Sequence, residues 1–172
     1  MPSSGRAGRC TAFVGLGSNL HRPSLQVKRA LFELQSLQSS RLLRHSSLYR
    51  SAPMGPGDQP DYFNAVAAID TALSAFALLD ALQSIENAHG RTRSKERWGP
   101  RTLDLDLLLF GDATIDDARL KVPHPGISER AFVLHPLYEI APDLTLPTLG
   151  PLAELLRKCP PQRLQRLTDS GF

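Results

Sequence analysis

Residues 102–110 read "TLDLDLLLF", with two aspartates set in a run of leucines. In a β-strand the side chains at positions i and i+2 point to the same face, about 6.5 to 7 Å apart. Asp104 and Asp106 therefore leave one face together, while the leucines on either side of them point to the opposite face. The pattern predicts a strand with a buried leucine face and a carboxylate face.

The two carboxylates need positive charge nearby. Carboxylates this close repel each other, and one of them is driven towards its neutral form unless a cation lies beside the pair. Mg²⁺ suits such a pair, because it binds one or two protein carboxylates and completes its octahedral shell with water and phosphate oxygens. Asp104 and Asp106 are therefore candidate Mg²⁺ ligands. The alternative is a solvent-facing strand edge on which neighbouring arginines pair with both aspartates.

The segment just before this strand is strongly basic. Residues 91–101 contain one acidic residue, Glu96, and the cations Arg91, Arg93, Lys95, Arg97 and Arg101. Such a loop suits a polyphosphate anion. The alternatives are a solvated basic loop and a loop that binds the nucleic-acid backbone. Nucleic-acid binding usually also needs several stacking aromatic residues, and only 6% of the chain is aromatic. Carboxylates beside a cationic loop favour phosphoryl chemistry on a nucleotide.

The segments further out predict the rest of the fold. Apolar periodicity and turn residues predict strands over 11–14, around 45–50 and over 62–70, and the first of these ends in a glycine-rich turn over 15–19. They predict helices over 23–37 and 152–158, and a further helix that is capped by Ser74 and ended by Gly90. The order β, α, β, β, α, β predicts an α+β fold. The expected architecture is a ferredoxin-like βαββαβ sandwich, an antiparallel sheet with helices packed on it.

The usual phosphate-binding loops are missing from the sequence. There is no GxxxxGK[ST] motif, and the stretch "GLGSNL" has Leu20 where a GxGxxG fingerprint needs its last glycine. We interpret these glycines as shaping the exit from the first strand.

Composition limits the class of protein. The 172 residues are 41% hydrophobic, which suits one domain of ordinary size, and a net charge of +3 is too small to indicate nucleic acid by itself. Cys10 and Cys159 have no CxxC motif and are expected as free thiols in a reducing compartment. No run reaches the roughly 18 apolar residues of a membrane span. We expect a cytoplasmic monomer with a disordered leader over 1–10 and a single domain over 11–172.

Tyr62 and Asn64 form a second candidate site. Both lie on one face of a predicted strand, directly after a proline-rich loop. An aromatic ring beside an amide can recognise a flat heterocycle through stacking and paired hydrogen bonds. The alternative is structural, with the ring capping the core and the amide securing the loop.

Four stretches resemble the 6-hydroxymethyl-7,8-dihydropterin pyrophosphokinase family: "GLGSNL", "YRSAPMGPGDQPDYFNAV", "GRTRSKERWGPRTLDLDLLLFGD" and "VPHPGISERAFVLHPLYEIAPDL". The resemblance spans roughly residues 11–144. It implies the ferredoxin-like fold and the transfer of the β,γ-diphosphate of ATP to the hydroxymethyl oxygen of the pterin, which yields AMP during tetrahydrofolate biosynthesis. The implied partners are ATP and the pterin, with no nucleic acid and no membrane.

The resemblance also implies roles for particular residues. It makes Asp104 and Asp106 the ligands of two Mg²⁺ ions, and the catalytic set becomes Arg91, Arg101, Asp104 and Asp106. The implied pterin contacts are Ser51, Ala52, Pro53, Met54, Tyr62, Asn64, Trp98 and Phe132. The implied ATP contacts are Gln83, Glu86, Arg91, Trp98, Arg101, Leu107, Lys121, His124 and Arg130.

Two other classes of protein remain open from the sequence. A nucleic-acid-binding module would use the same basic loop, without Mg²⁺ and with a steep dependence on salt. A nucleotidyl or glycosyl transferase with a DxD motif would share the metal site but not the Tyr62–Asn64 face. Release of AMP from ATP in the presence of the pterin distinguishes the three.

Overall fold

A computed structural model describes residues 8–53, 57–90 and 102–168. Its strands are β1 (Cys10–Ser18), β2 (Ser40–His45), β3 (Leu48–Ser51), β4 (Tyr62–Thr71), β5 (Asp104–Phe110), β6 (Ile115–Asp116), β7 (Lys121–Val122), β8 (Thr145–Leu146), β9 (Gly150–Pro151) and β10 (Leu164–Leu167). Its helices are α1 (Pro23–Gln35), α2 (Ala75–Ala88), α3 (Ala131–Ile140) and α4 (Leu152–Lys158), with a 3₁₀ turn at Ile127–Glu129 before α3.

The main sheet is antiparallel throughout. Its six strands follow the order β10-β3-β4-β1-β5, and β2 also pairs with β4. Two small hairpins, β6-β7 and β8-β9, lie outside this sheet. The predicted α+β class with an antiparallel sheet is therefore confirmed.

Helices cover both faces of the sheet. On one face α1 packs against β1, β2 and β4 and α2 packs against β5, which buries Leu34, Leu78 and Leu82. On the other face α3 packs against β3 and β4, with α4 beside it, which buries Leu134 and Leu152. Burial of aliphatic side chains on both faces provides the main stabilisation. The second layer comes from the chain after β5, where the sequence predicted only the short helix over 152–158 and not α3.

The predicted glycine-rich turn at 15–19 is wrong. Strand β1 runs on through Ser18, and its register places Gly15 opposite Val66 and Asp106 and Gly17 opposite Asn64 and Asp104. The central position of β1, with hydrogen-bonded neighbours on both sides, overrides the turn preference of glycine.

The strand predicted around 45–50 is two strands, β2 and β3. They separate at Ser46, whose N–H donates to the carbonyl of Val66 (2.8 Å) while its Oγ accepts from the Val66 N–H (2.9 Å). A side-chain hydroxyl thus replaces a backbone partner there, and the ladder is interrupted. Strand β10 was not predicted at all.

The helix boundaries agree more closely with the sequence. Ser74 caps α2, with its Oγ accepting from the Ala77 N–H at 3.1 Å, and Gly90 follows the helix in the left-handed region with φ of 79°. Helix α4 has the predicted bounds. Among the described residues, none of the helices is long and apolar enough to cross a membrane.

Candidate active site

A cleft of about 670 Å³ opens beside β1, β4 and β5. Its walls combine carboxylates, an imidazole, a guanidinium, an amide and two aromatic rings. The lining residues are Gly15, Leu16, Gly17, Ser51, Ala52, Tyr62, Asn64, Ala65, Asp104, Asp106, His124, Pro125, Gly126, Glu129, Arg130, Phe132 and Val133.

The two glycines of β1 form the floor of the cleft. Because side chains alternate along a strand, Leu16 is buried in the core while Gly15 and Gly17 face the cleft. A Cβ on Gly17 would lie 3.1 Å from Oδ1 of Asn64, closer than an ordinary contact. The glycines therefore leave space for a ligand between the carboxylates of β5 and the Tyr62–Asn64 face of β4.

The carboxylates of β5 lie on the cleft side of a fixed strand. Asp104 and Asp106 are half-buried, whereas Leu105 between them is buried in the core. The N–H of Leu105 donates to the carboxylate of Glu86 on α2 (2.8 Å), and Glu86 is itself only 3% exposed. Glu86 therefore supplies the partner that the outer edge of β5 lacks, and it ties α2 to the strand that carries the aspartates.

His124 contributes a neutral imidazole. Burial lowers its pKa, the Asp106 carboxylate opposes that shift, and the Arg130 guanidinium lowers the pKa further. Its Nδ1 accepts from the Gly126 N–H at 3.1 Å, so the proton of the neutral ring is on Nε2. The cleft thus has an imidazole N–H donor beside its carboxylates.

Arg130 and Phe132 belong to the wall opposite the sheet. The Arg130 guanidinium lies over the Phe132 ring, 5.8 Å from the ring centroid. A Cβ on Gly126 would be 2.6 Å from Nε of Arg130, so the arginine occupies space that only a glycine leaves open.

The Tyr62–Asn64 face is held by one buried hydrogen bond. Nδ2 of Asn64 donates to Oγ of Ser51 at 2.8 Å, which joins β4 to the end of β3. Asn64 is 4% exposed and Ser51 is 5% exposed, whereas the Tyr62 ring is half-buried at the cleft. The amide thus has a structural partner in addition to its place on the cleft wall.

The structure brings together much of the predicted site. Nine of the predicted residues line the cleft: Ser51, Ala52, Tyr62, Asn64, Asp104, Asp106, His124, Arg130 and Phe132. Met54, Arg91, Trp98 and Arg101 lie outside the described residues. Their roles stay predictions.

Five predicted contacts do not line the cleft: Pro53, Gln83, Glu86, Leu107 and Lys121. Leu107 is 3% exposed in the core, and Lys121 is bonded to Asp116 at 2.6 Å on the surface. Gln83 and Pro53 are half-buried.

Sequence reasoning missed some cleft residues. Gly15 and Gly17 could have been found, because the period of two that placed the aspartates also puts these glycines on one face. Gly126 and Glu129 carry no such signal. They lie at and beside the 3₁₀ turn that leads into α3, and the path of the chain, not a repeating pattern, brings them to the cleft.

The carboxylate pair fits a metal ion that is shared with a substrate. Within the described ranges, no group of three or more His, Cys, Asp or Glu side chains could hold a metal ion. Mg²⁺ needs only one or two protein carboxylates when phosphate oxygens and water complete its shell. Asp104 and Asp106 meet that requirement.

A carboxylate pair in an open cleft on an antiparallel sheet gives this α+β protein a site whose chemistry suits phosphorylated substrates. A family model described as 7,8-dihydro-6-hydroxymethylpterin-pyrophosphokinase matches residues 13–142. The chain belongs to this pyrophosphokinase family and is an enzyme of its class, a diphosphotransferase of folate biosynthesis.

Individual relatives agree with this assignment. A Pseudomonas aeruginosa protein named 2-amino-4-hydroxy-6-hydroxymethyldihydropteridine pyrophosphokinase is 54% identical over 155 residues, which cover 90% of this chain and 95% of the relative. A Haemophilus influenzae protein of the same name is 48% identical over 157 residues, covering 91% and 98%.

A solved structure agrees with the fold. The crystal structure of a Plasmodium falciparum HPPK-DHPS variant with pteroate superposes with a TM-score of 0.71 at 15% identity, over 90% of this chain. This chain spans 41% of that longer protein. At this identity the likeness concerns the fold alone.

Proposed function

We propose that this chain transfers the β,γ-diphosphate of ATP to the hydroxymethyl oxygen of 6-hydroxymethyl-7,8-dihydropterin. The hydroxyl oxygen bonds to the β-phosphorus, the bond from that phosphorus to the oxygen shared with the α-phosphate breaks, and AMP leaves. The hydroxyl proton is released to water, and no covalent enzyme intermediate is needed. The observation that carries the proposal is the single cleft in which the Asp104–Asp106 face and the Tyr62–Asn64 face meet across a glycine floor.

The pterin side is the part of the cleft between Tyr62 and Phe132. A pterin is flat and carries hydrogen-bonding groups on its edge, so it suits two aromatic rings and an amide. The bond between Asn64 and Ser51 fixes the direction of that amide before a ligand arrives. A fixed amide binds its ligand at a lower cost than a mobile one, because less conformational freedom is lost on binding.

The ATP side is the part of the cleft that contains the β5 aspartates, His124 and Arg130. Asp104 and Asp106 would hold two Mg²⁺ ions, which neutralise phosphate charge and activate the hydroxyl when bound. Arg130 adds a positive charge, and neutral His124 donates a hydrogen bond to a phosphate or ribose oxygen. Arg91 and Arg101 are proposed to stabilise the transferring group.

The proposal also includes the exact topology of the fold, the oligomeric state and the cellular compartment. The order β3-β4-β1-β5, with α1 after β1 and α2 after β4, supports a ferredoxin-like βαββαβ unit extended by the later helices. The monomer expected from the sequence stays part of this proposal. Two free cysteines support a reducing compartment, the cytoplasm.

A product assay tests the proposed function. The chain is incubated with ATP, Mg²⁺ and 6-hydroxymethyl-7,8-dihydropterin, and nucleotides are separated by chromatography. We expect AMP and the pterin diphosphate in equal amounts, and no AMP when the pterin is omitted. Formation of ADP or free pyrophosphate instead would favour another transferase with a DxD motif and contradict the proposal.

A further inference from the structure

The chain after α4 returns to the cleft. Strand β10 pairs with β3 and places Leu164 opposite Ser51, whose hydroxyl holds Asn64. The two residues just before this strand, Gln162 and Arg163, bond to the two walls of the pterin side.

Gln162 binds the wall that carries Phe132. Its Nε2 donates to the carbonyl of Glu129 at 2.6 Å, and its Oε1 accepts from the N–H of Ala131 at 3.0 Å. Ala131 begins α3, and Arg130 at the N-cap position makes no side-chain capping bond. Gln162 thus satisfies one of the N–H groups that the first turn of a helix leaves without an internal partner. It holds the backbone on both sides of Arg130 and directly before Phe132.

Arg163 binds the wall that carries Tyr62. Its guanidinium lies 2.7 Å from Oδ1 of Asp61, the residue directly before β4. The other oxygen of Asp61 accepts from Nε of Arg50 at 2.9 Å, and the Asp61 side chain is only 15% exposed. Asp61 is therefore held between two arginines, and it fixes where β4 begins at Tyr62.

We propose that Gln162 and Arg163 are positioning residues that set the separation of Phe132 and Tyr62 across the cleft. The inference rests on the proposed assignment of these two rings to the pterin. A pair of neighbouring residues bonded to opposite walls limits how far the walls can move apart. A ligand that stacks between prepositioned rings loses less freedom on binding than one that must order them.

The expected signature is a rise in KM with kcat maintained. Loss of the Arg163 bond should raise the pterin KM alone, whereas loss of the Gln162 bonds should raise the pterin KM and, to a smaller extent, the ATP KM, because these bonds lie on both sides of Arg130. Loss of the bonds leaves the carboxylates of β5 untouched, because Gln162 and Arg163 bond to neither β5 nor α2. The pterin KM should therefore rise, while kcat is maintained. A purely stabilising role would reduce the folded fraction, which lowers the apparent kcat and leaves KM unchanged.

Two variants and two matched controls form the test. Gln162→Met keeps an unbranched chain of similar length without the amide, and Arg163→Met keeps the apolar start of the side chain without the guanidinium. Gln165→Met changes an exposed glutamine on β10, directly after the tested pair, and Arg157→Met removes an exposed ion pair with Glu154 on α4. Steady-state kcat and both KM values are measured on the full chain, with thermal unfolding as a check on folding.

We expect the pterin KM to rise about fivefold for Gln162→Met, about threefold for Arg163→Met and about tenfold or more for the double variant. The variant Gln162→Glu keeps the acceptor for Ala131 but places a carboxylate oxygen against the Glu129 carbonyl oxygen, so the pterin KM should stay raised. The two controls should stay within about twofold of the parent chain.

The outcomes separate the inference from the proposed function. An unchanged pterin KM in both Gln162→Met and Arg163→Met overturns the inference, whether or not these variants are less stable. Phe132→Ala, measured in parallel, tests the pterin assignment itself, and an unchanged pterin KM in that variant contradicts the assignment. If the pterin KM rises in Phe132→Ala but not in the two methionine variants, the pterin assignment is supported and the positioning role of Gln162 and Arg163 is contradicted.

Discussion

The two sides of the cleft are built in different ways. The carboxylate side is one strand, in which Asp104 and Asp106 are set by the period of β5 and the buried Leu105 between them. The pterin side is assembled from the end of β3, the start of β4, the start of α3 and the chain before β10. A site on one strand depends on local pattern, whereas a site at the meeting of four segments depends on long-range hydrogen bonds.

The largest expected effect is on the carboxylate side. Asp104→Ala and Asp106→Ala should each lower kcat by about 10²- to 10³-fold, because each removes a carboxylate that would hold Mg²⁺, and with it the positive charge that would stabilise the transferring phosphates. Circular dichroism and thermal unfolding should remain close to those of the parent chain, since both carboxylates face the cleft and not the core.

Asp112→Ala is the matched control, because Asp112 is an exposed aspartate just beyond the same strand. It should release AMP at the normal rate, and chelation of Mg²⁺ should abolish that activity. Near-normal turnover in either cleft variant would show that chemistry does not depend on the β5 pair.

The second prediction concerns the support of the carboxylate strand. Glu86→Ala leaves the buried N–H of Leu105 without its carboxylate acceptor, and we expect the free energy of unfolding to fall by about 1–3 kcal/mol. Denaturant titration measures the change. Glu86→Gln keeps an acceptor oxygen and should retain most of the stability. Equal stability of the alanine variant and the parent would show that this bond contributes nothing.

The difference between the two sides of the cleft also decides how much of the site could be predicted from the sequence. Periodicity along one strand was sufficient for the aspartates, and the Ser74 cap and Gly90 were sufficient for the ends of α2. The resemblance assigns Glu86 to the nucleotide, which stays a prediction, but it gives no sign that the Glu86 carboxylate accepts from the Leu105 N–H at the outer edge of β5. Pairings between residues far apart in the chain, such as Gln162 with Ala131, leave no local signal.

The third prediction tests the floor between the two sides. Gly17→Ala places a Cβ 3.1 Å from Oδ1 of Asn64, so the amide must shift away from β1. We expect the pterin KM to rise about tenfold, which corresponds to about 1.4 kcal/mol of binding free energy. Steady-state kinetics measure it.

Gly15→Ala is the comparison for Gly17→Ala, because its Cβ would lie 3.5 Å from Leu108, an ordinary van der Waals contact. It should have the smaller effect on the pterin KM. A larger effect from Gly15→Ala would show that the Asn64 amide is not the group that Gly17 protects.

The smallest effect is expected where a flexible side chain can yield. Gly126→Ala places a Cβ 2.6 Å from Nε of Arg130, and the guanidinium can move aside at little cost to stability. Because the displaced charge leaves the ATP side, we expect the ATP KM to rise about threefold, with unfolding unchanged. In an Arg130→Ala background, Gly126→Ala should not raise the ATP KM further, since the guanidinium that it displaces is already absent. An additive effect in the double variant would mean that Gly126 acts on the ligand directly and not through Arg130.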